Sequence, residues 1–339
     1  MEPTVYLGID YHQNFSQLCV LDARGTVLTQ RRCDSCAYEI LRIVSGLGER
    51  VEAAIESCTG AAELAEALTQ AGWSVSLAHP GYVARIRQSP DKSDLADARL
   101  LADLTRVGYL PRVWLAPACI RELRRLVRER QSLAEERRRV KQQIRGLLRE
   151  HRLRSPLRAW TKRWMQWLCE EVDLPEHSAW VLERRLRHLE YLAGEIEAVE
   201  KRLEQATEHD PVVRKLRAMP GIGAVTAWVL RAEVGRFDRF RNGKQLSRFC
   251  GLSPRNASSG ERTADAGLIK AGNPQLRAIL IEAAHRLGMH HPRWRAMRQK
   301  MRTRGKPGSV IAAAIANRWV RGLVHAMAEG TNQVSQEAA

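Results

Sequence analysis

The spacing of the apolar residues changes near residue 112, and this change limits the fold more than any other feature of the chain. Before it, short apolar runs bounded by turn residues predict strands that alternate with amphipathic helices. After it, apolar residues recur every three or four positions, which is the spacing of long helices. The predicted strands are Val5–Asp10, Gln17–Asp22, Val27–Arg32, Val51–Ile55 and Ser74–Ala78, and the predicted helices are Tyr38–Leu47 and Ala61–Ala71. The sequence therefore predicts an α/β unit over residues 1–112.

Three strands, a helix, a strand, a helix and a strand make up the element order of a ribonuclease-H-like domain, although other α/β domains share much of it. In that fold the first and fourth strands are neighbours. Asp10 is the last residue of the first predicted strand, and Glu56 comes directly after Ile55 at the end of the fourth predicted strand. We therefore expect these two carboxylates to lie close together.

Two further acids, Asp94 and Asp97, have the i, i+3 spacing that places both on one face of a helix. Asp91 continues the same series and is the alternative to Asp94. Like charges repel unless a cation offsets them, and carboxylate oxygens suit Mg²⁺ or Mn²⁺. The pattern predicts a metal site of Asp10, Glu56, Asp94 and Asp97 that acts on a phosphodiester.

Residues 113–210 predict two long helices that form a coiled-coil arm. The apolar positions that carry this prediction are Leu126, Leu133, Val140 and Leu147 at steps of seven, together with Leu123 and Ile144, and then Leu189, Leu192, Ile196, Val199 and Leu203. Between the two helices, the Trp-rich segment Trp160–Leu174 predicts a loop or a short helix at the tip of the arm.

Residues 211–329 predict a mainly helical third unit that contains a helix-hairpin-helix turn at Pro220–Gly223. Glycines allow the backbone N–H groups of such a turn to approach a phosphate, and the next helix N-terminus favours an anion. A plain tight turn between two helices is the alternative. The polar residues 330–339 predict a flexible tail.

The net charge of +17, with 55 Lys and Arg against 38 Asp and Glu, indicates a polyanionic partner. The excess is concentrated: residues 121–160 carry 14 Lys and Arg against five Glu, and residues 286–306 carry eight with no acid. Such segments are typical of surfaces that follow a nucleic-acid backbone, although a basic helix face without a partner is the alternative.

The remaining composition indicates a cytoplasmic protein with no membrane partner, because no signal peptide or membrane-spanning apolar stretch is found. The seven cysteines are scattered, as is typical of a reducing compartment. Cys33 and Cys36 form a single CxxC pair without a second pair of ligands, so structural zinc is not expected.

Several motifs together resemble the one-ten family of Piv invertase-like DEDD insertion-sequence transposases, over nearly the whole chain. In the first half these are Gly8-Ile9-Asp10, Glu56 followed by Gly60, and Lys92–Arg99. In the second half they are Pro220–Gly223, Phe249–Arg255, Ser259-Gly260 and Lys270–Asn273. The spacing departs slightly after Glu56, where three residues precede Gly60 in place of the commoner two.

The resemblance implies a RuvC-like catalytic domain, a coiled coil and a transposase domain that contributes a nucleophilic serine. That serine corresponds to Ser259, with Ser258 beside it as the alternative. The resemblance further implies a bridge RNA that pairs with double-stranded donor and target DNA, a phosphoserine intermediate, and dimers that assemble into tetramers. In such an assembly the acids of one protomer act with the serine of another.

Two other functions fit parts of the same pattern. A structure-selective nuclease such as a Holliday-junction resolvase uses the four carboxylates with metal-activated water and needs no serine. A non-catalytic architectural protein that binds RNA or DNA needs only the positive charge and the long helices. The acids argue against the second alternative, and the role of Ser259 separates the first from a transposase.

Overall fold

The computed structural model describes residues 4–86, 93–256, 265–269 and 272–328. The chain forms two compact units, Met1–Ala116 and Pro117–Ala339. The elements of the first unit are β1 (Thr4–Tyr11), β2 (Phe15–Leu21), β3 (Val27–Asp34), α1 (Ala37–Val44), β4 (Arg50–Glu56), α2 (Ala61–Gln70), β5 (Ser74–Ala78), α3 (Pro80–Ile86), α4 (Asp94–Arg106) and β6 (Arg112–Val113).

The six strands form one mixed sheet in the order β3-β2-β1-β4-β5-β6. Strand β2 is antiparallel to both of its neighbours, β1 and β3, whereas β1, β4 and β5 are parallel to one another. The predicted neighbours β1 and β4 pair directly, with Ile9 opposite Ile55. All five predicted strands and both predicted helices are therefore confirmed, with shifts of a few residues at their ends.

Helix α3 and strand β6 were not predicted. Helix α3 begins at Pro80, with only His79 between it and the end of β5. Proline fits there because the first turn of a helix has no partner for a backbone N–H. Strand β6 consists of two residues, which is too short for any alternation of polar and apolar side chains to show.

Helices cover both faces of the sheet. On one face, α1 and α2 pack against Leu7, Ile9 and Ile55. On the other, α4 packs with the small residues Ala98 and Ala102 towards the sheet. The approach is closest at Gly8 of β1, where an added Cβ would lie 1.8 Å from the carbonyl oxygen of Ala98. Glycine at residue 8 therefore sets how closely α4 packs on β1.

The second unit is almost entirely helical. Its elements are α5 (Ala118–Glu150), α6 (Lys162–Glu170), α7 (Glu176–Thr207), α8 (Pro211–Arg217), α9 (Ala224–Val234), α10 (Gly243–Phe249), β7 (Pro254–Asn256), β8 (Asp265–Leu268), α11 (Pro274–His290), α12 (Pro292–Thr303) and α13 (Gly308–Ala328). Among the described residues, no helix is both long and apolar enough to span a membrane.

The two long helices α5 and α7 pack along each other, and the Trp-rich segment between them contains the short helix α6. Trp164 of α6 is buried in a cluster with Ile144 of α5 and Leu192 of α7. The predicted positions Leu123, Val140 and Ile144 are buried, whereas Leu126, Leu133 and Leu147 are only partly buried. The buried residues of α5 are Ile120, Leu123, Val127, Gln131, Val140, Ile144 and Leu148. This spacing follows the 3.6-residue period of a straight helix more closely than a strict heptad.

The other ends of α5 and α7 belong to the core of the C-terminal helices. Arg128 of α5 lies 3.2 Å from the buried carboxylate of Glu233 on α9. Trp228 of α9 donates its indole N–H to Thr207 Oγ1 of α7 at 3.0 Å. Both contacts join the arm to this core.

A tight turn connects α8 to α9. Asp210 caps α8 by accepting from the backbone N–H of Val212 and also pairs with Arg231 of α9 at 2.6 Å. Gly221 in the turn has a φ of 84°, which favours glycine, and a Cβ there would lie 2.5 Å from Leu287. The turn is therefore fixed by its own conformation and by α11.

Replacing Gly221 with alanine is expected to lower the stability of the second unit by about 1 to 3 kcal/mol, because the new methyl group meets Leu287 in a strained backbone conformation. Chemical denaturation followed by circular dichroism measures the change. Gly223→Ala is the matched control, since a Cβ at residue 223 meets nothing within 4 Å. Equal effects of the two substitutions would contradict the role assigned to Leu287.

Candidate active site

The four predicted acids line one pocket of about 380 Å³ in the first unit. The side chains around it are Asp10, His12, Glu56, Pro80, Gly81, Ala84, Asp94 and Asp97. They come from the ends of β1 and β4, from the β1–β2 turn and from the starts of α3 and α4. Residues far apart in the sequence therefore meet at one end of the sheet, as the strand order predicts. Asp91, the alternative to Asp94, lies outside the described residues.

Local structure explains how each acid is positioned. Asp10 and Glu56 directly follow the paired residues Ile9 and Ile55 on adjacent parallel strands, so the two acids lie side by side at the same end of the sheet. Ser93 caps α4 by accepting from the backbone N–H of Ala96 at 3.2 Å. Asp94 and Asp97 then occupy the first turn of α4, where the helix dipole favours negative charge.

Burial and the neighbouring acids make it energetically costly to keep the carboxylates of this site ionised without a cation. Burial raises the pKa of the Asp10 carboxyl above its usual value; the charges of Asp94 and Asp97 add to this effect, and His12 opposes it. Asp97 is only 7% exposed. Ionised carboxylates in such a place need a compensating positive charge. A donor set of carboxylate oxygens fits a divalent cation such as Mg²⁺ or Mn²⁺.

His12 belongs to this site and was missed from the sequence. Its Nε2 lies 3.4 Å from Asp10 Oδ2 and 3.7 Å from Asp94 Oδ2. Potential ligand atoms of these three residues all lie within 4.8 Å of one another. The available signal was its position two residues after Asp10 in a short turn between two strands. A turn of that length keeps His12 near the end of β1.

The proposed nucleophile Ser259 and its alternative Ser258 lie outside the described residues, between β7 and β8 in the sequence. The described parts of the neighbouring motifs lie close together, since a Cβ added at Gly272 would be 2.3 Å from the Phe249 carbonyl oxygen. The Asn317 side-chain amide donates to Ser247 Oγ at 2.7 Å and to the Leu252 carbonyl oxygen at 3.0 Å. Asn273 caps α11. These contacts position described residues that come before and after Ser259 in the sequence.

The motif residue Phe249 is held by an arginine. The Arg239 guanidinium lies 4.4 Å from the ring centroid of Phe240 and 4.6 Å from that of Phe249. Burial lowers the pKa of Arg239 to about 10, with Arg124 contributing. Arg239 therefore remains charged at neutral pH, and its cation–π contacts stabilise Phe249 at the start of the Phe249–Arg255 motif.

Comparison with known families assigns both halves of the chain to one group. The model of a DEDD transposase of the IS110 type matches residues 7–152, and the model of the IS116/IS110/IS902 transposase family matches residues 213–299. The chain belongs to the IS110 family of DEDD transposases. The mixed sheet with helices on both faces is consistent with the ribonuclease-H-like domain of such an enzyme.

Several curated proteins similar to this IS110-family enzyme are described as transposases. The transposase of insertion sequence IS1328 from Yersinia enterocolitica is 26% identical over 325 residues, which cover 95% of this chain and 96% of the relative. The transposase of IS1111A from Coxiella burnetii is 29% identical, covering 86% and 79%. A putative transposase of Sinorhizobium fredii, y4qE, is 33% identical, covering 60% and 50%.

As a DNA transposase of the IS110 family, the chain must bind DNA, and its basic segments are exposed. Most of residues 121–160 form α5, whose arginines largely point away from the buried stripe. Residues 286–306 cover the end of α11 and all of α12, and the one buried residue of α12 is Trp294. Exposed arginines on long helices are suited to contacts with phosphate oxygens.

Proposed function

We propose that the chain cuts and rejoins DNA as the transposase of an insertion sequence, with a divalent metal held by Asp10, Glu56, Asp94 and Asp97 and with Ser259 as the nucleophile. The observation that carries the proposal is the meeting of four acids from three separate elements in one pocket. His12 Nε2 lies within 4 Å of both Asp10 and Asp94 in the same pocket.

The acids and the serine have separate tasks in this proposal. The metal is Mg²⁺ or Mn²⁺, and when bound it polarises a phosphate and stabilises the charge that develops during the displacement. The four carboxylates hold and orient it. The Ser259 hydroxyl attacks phosphorus and loses its proton, the bond to one deoxyribose oxygen breaks, and that oxygen takes a proton. The product is a phosphoserine ester, and the reverse attack by a DNA hydroxyl rejoins the strand.

The partners proposed are double-stranded donor and target DNA, a bridge RNA and further copies of the chain. Support comes from the family resemblance, from the charge of +17 and from the basic segments on α5 and α12. We assign the tight turn before α9 to backbone contact in the manner of a helix-hairpin-helix. We assign α5 and α7 to a coiled-coil arm that brings protomers into a dimer and then a tetramer.

In this proposal each of the three segments predicted from the sequence has its own role. Residues 1–112 hold the metal, residues 113–210 form the arm, and residues 211–329 carry the nucleophile and contact DNA. Two separate family matches, over residues 7–152 and 213–299, support a catalytic part that precedes a transposase part, and the first match extends into the proposed arm.

A denaturing gel tests the nucleophile. Donor and target DNA are incubated with the protein and with RNA transcribed from the DNA beside its gene, and the reaction is stopped with detergent. A covalent protein–DNA adduct is expected, and peptide mass spectrometry is expected to place it on Ser259. Ser259→Ala is expected to lose the adduct and all strand joining, because alanine has no hydroxyl. Ser258→Ala, the matched control, is expected to keep both.

The alternatives give other outcomes in the same assay. A nuclease that uses water would cut DNA without an adduct, and Ser259→Ala would cut as well as the parent. An architectural protein would leave strand transfer unchanged in Asp10→Ala and Asp94→Ala. An adduct on Ser258 would leave the mechanism intact and move the nucleophile by one residue.

A further inference from the structure

His12 is held in place by contacts that involve none of the acids. Its backbone N–H donates to the Phe15 carbonyl oxygen at 2.9 Å, and its own carbonyl oxygen accepts from Ser35 Oγ at 2.6 Å. Its ring stacks on Phe15 with 4.5 Å between centroids and 23° between planes. The Arg32 guanidinium lies 3.6 Å from the Phe15 centroid. The β1–β2 turn therefore fixes both the backbone and the ring of His12.

This fixed ring directs one nitrogen at the acids. Nε2 is buried and makes no hydrogen bond within the described part of the chain, although Asp10 and Asp94 oxygens lie 3.4 and 3.7 Å away. A buried polar atom without a hydrogen bond is costly. The distances are longer than a hydrogen bond but leave room for an ion that bonds to all three groups.

We propose that His12 Nε2 is a ligand of the metal and that it makes the site prefer Mn²⁺ to Mg²⁺. The proposal rests on the proposed function only in that the four acids bind a divalent ion. Mg²⁺ keeps an octahedron of oxygen ligands and water, whereas imidazole nitrogen suits transition metals. One nitrogen among carboxylates therefore stabilises Mn²⁺ more than Mg²⁺.

Pulsed electron paramagnetic resonance of the protein with one equivalent of Mn²⁺ tests this directly. A histidine nitrogen bonded to Mn²⁺ modulates the electron spin echo. The modulation is expected in the parent protein and is expected to change frequency when the protein is made with histidine labelled with heavy nitrogen. No substitution is needed for this measurement, so folding defects cannot mimic its result.

Variants then assign the nitrogen. His12→Ala and His12→Asn are expected to lose the modulation and to bind Mn²⁺ about tenfold more weakly, with Mg²⁺ affinity changed much less. His79→Ala is the matched control, because His79 lies directly before Pro80 at the edge of the same pocket and its Nδ1 accepts from the Gly81 backbone N–H. It is expected to keep the modulation.

Three negative results have different meanings. Mn²⁺ bound without nitrogen modulation, and bound equally well by His12→Ala, overturns the role of His12 while leaving the acids as ligands. Mn²⁺ affinity that is unchanged in Asp10→Asn as well overturns the metal site itself, and with it the proposed function. Modulation that survives His12→Ala but disappears in His79→Ala would make His79 the nitrogen ligand and would overturn the role of His12.

Discussion

Gly8→Ala is expected to destabilise the first unit by about 3 kcal/mol or more and to abolish metal binding. The added methyl group would lie 1.8 Å from the Ala98 carbonyl oxygen and 2.6 Å from the Ala102 backbone nitrogen, and neither backbone atom can move without α4. Since α4 carries Asp94 and Asp97 in its first turn, its displacement also separates the acids. Thermal unfolding followed by circular dichroism, together with Mn²⁺ titration, measures both effects.

Gly146→Ala is the control for this substitution. Residue 146 lies inside α5 with nothing within 4 Å of an added Cβ, so alanine is expected to be neutral or to stabilise by up to about 1 kcal/mol. A Gly8→Ala protein with the parental unfolding temperature would show that α4 does not pack on β1 as described.

Asp97→Asn is expected to reduce DNA strand joining by about 100-fold or more while the protein stays folded. A metal supplies several kcal/mol to a phosphoryl displacement, and each 1.4 kcal/mol is about a factor of ten in rate. Asp97 is the most buried acid of the pocket, so solvent cannot replace its charge. Amide for carboxylate keeps the size of the side chain and removes the charge. Single-turnover strand-joining rates measure the effect.

Asp103→Asn on the same helix is the matched control. Asp103 pairs with Arg106 at 2.6 Å on a half-exposed surface and does not line the pocket. An exposed ion pair of this kind contributes about 1 kcal/mol or less, so full activity is expected. Loss of activity in both variants would point to a general effect on α4 and would count against Asp97 as a ligand.

The sequence predicts the first unit well because its signals are local. Apolar runs bounded by turn residues identify the strands, and the order of elements implies that β1 and β4 are neighbours. From that adjacency, the convergence of Asp10 and Glu56 follows without any structure. The i, i+3 spacing likewise places Asp94 and Asp97 on one turn of α4.

The remaining features depend on tertiary contacts that no local pattern encodes. In the sequence His12 has no feature that distinguishes it from an ordinary turn residue. Only its stacking on Phe15 directs Nε2 at the acids. Strand β6 exists because two residues pair with Leu77 and Ala78 at the sheet edge. Leu126, Leu133 and Leu147 of the predicted series on α5 are only partly buried because that helix packs against α6 and the C-terminal core as well as α7.

The most direct test of the central claim compares two glutamates on the same strand. Glu56 lines the acid pocket at the end of β4, whereas Glu52 lies earlier on β4 and pairs with Arg50 at 3.2 Å. The measurement is the rate of donor-to-target strand joining with Mg²⁺ or Mn²⁺ and with a chelator. The proposed site predicts a loss of about 100-fold or more for Glu56→Gln, a parental rate for Glu52→Gln, and no joining by any protein with the chelator. Joining by Glu56→Gln at the parental rate, or joining that persists without metal, would contradict it.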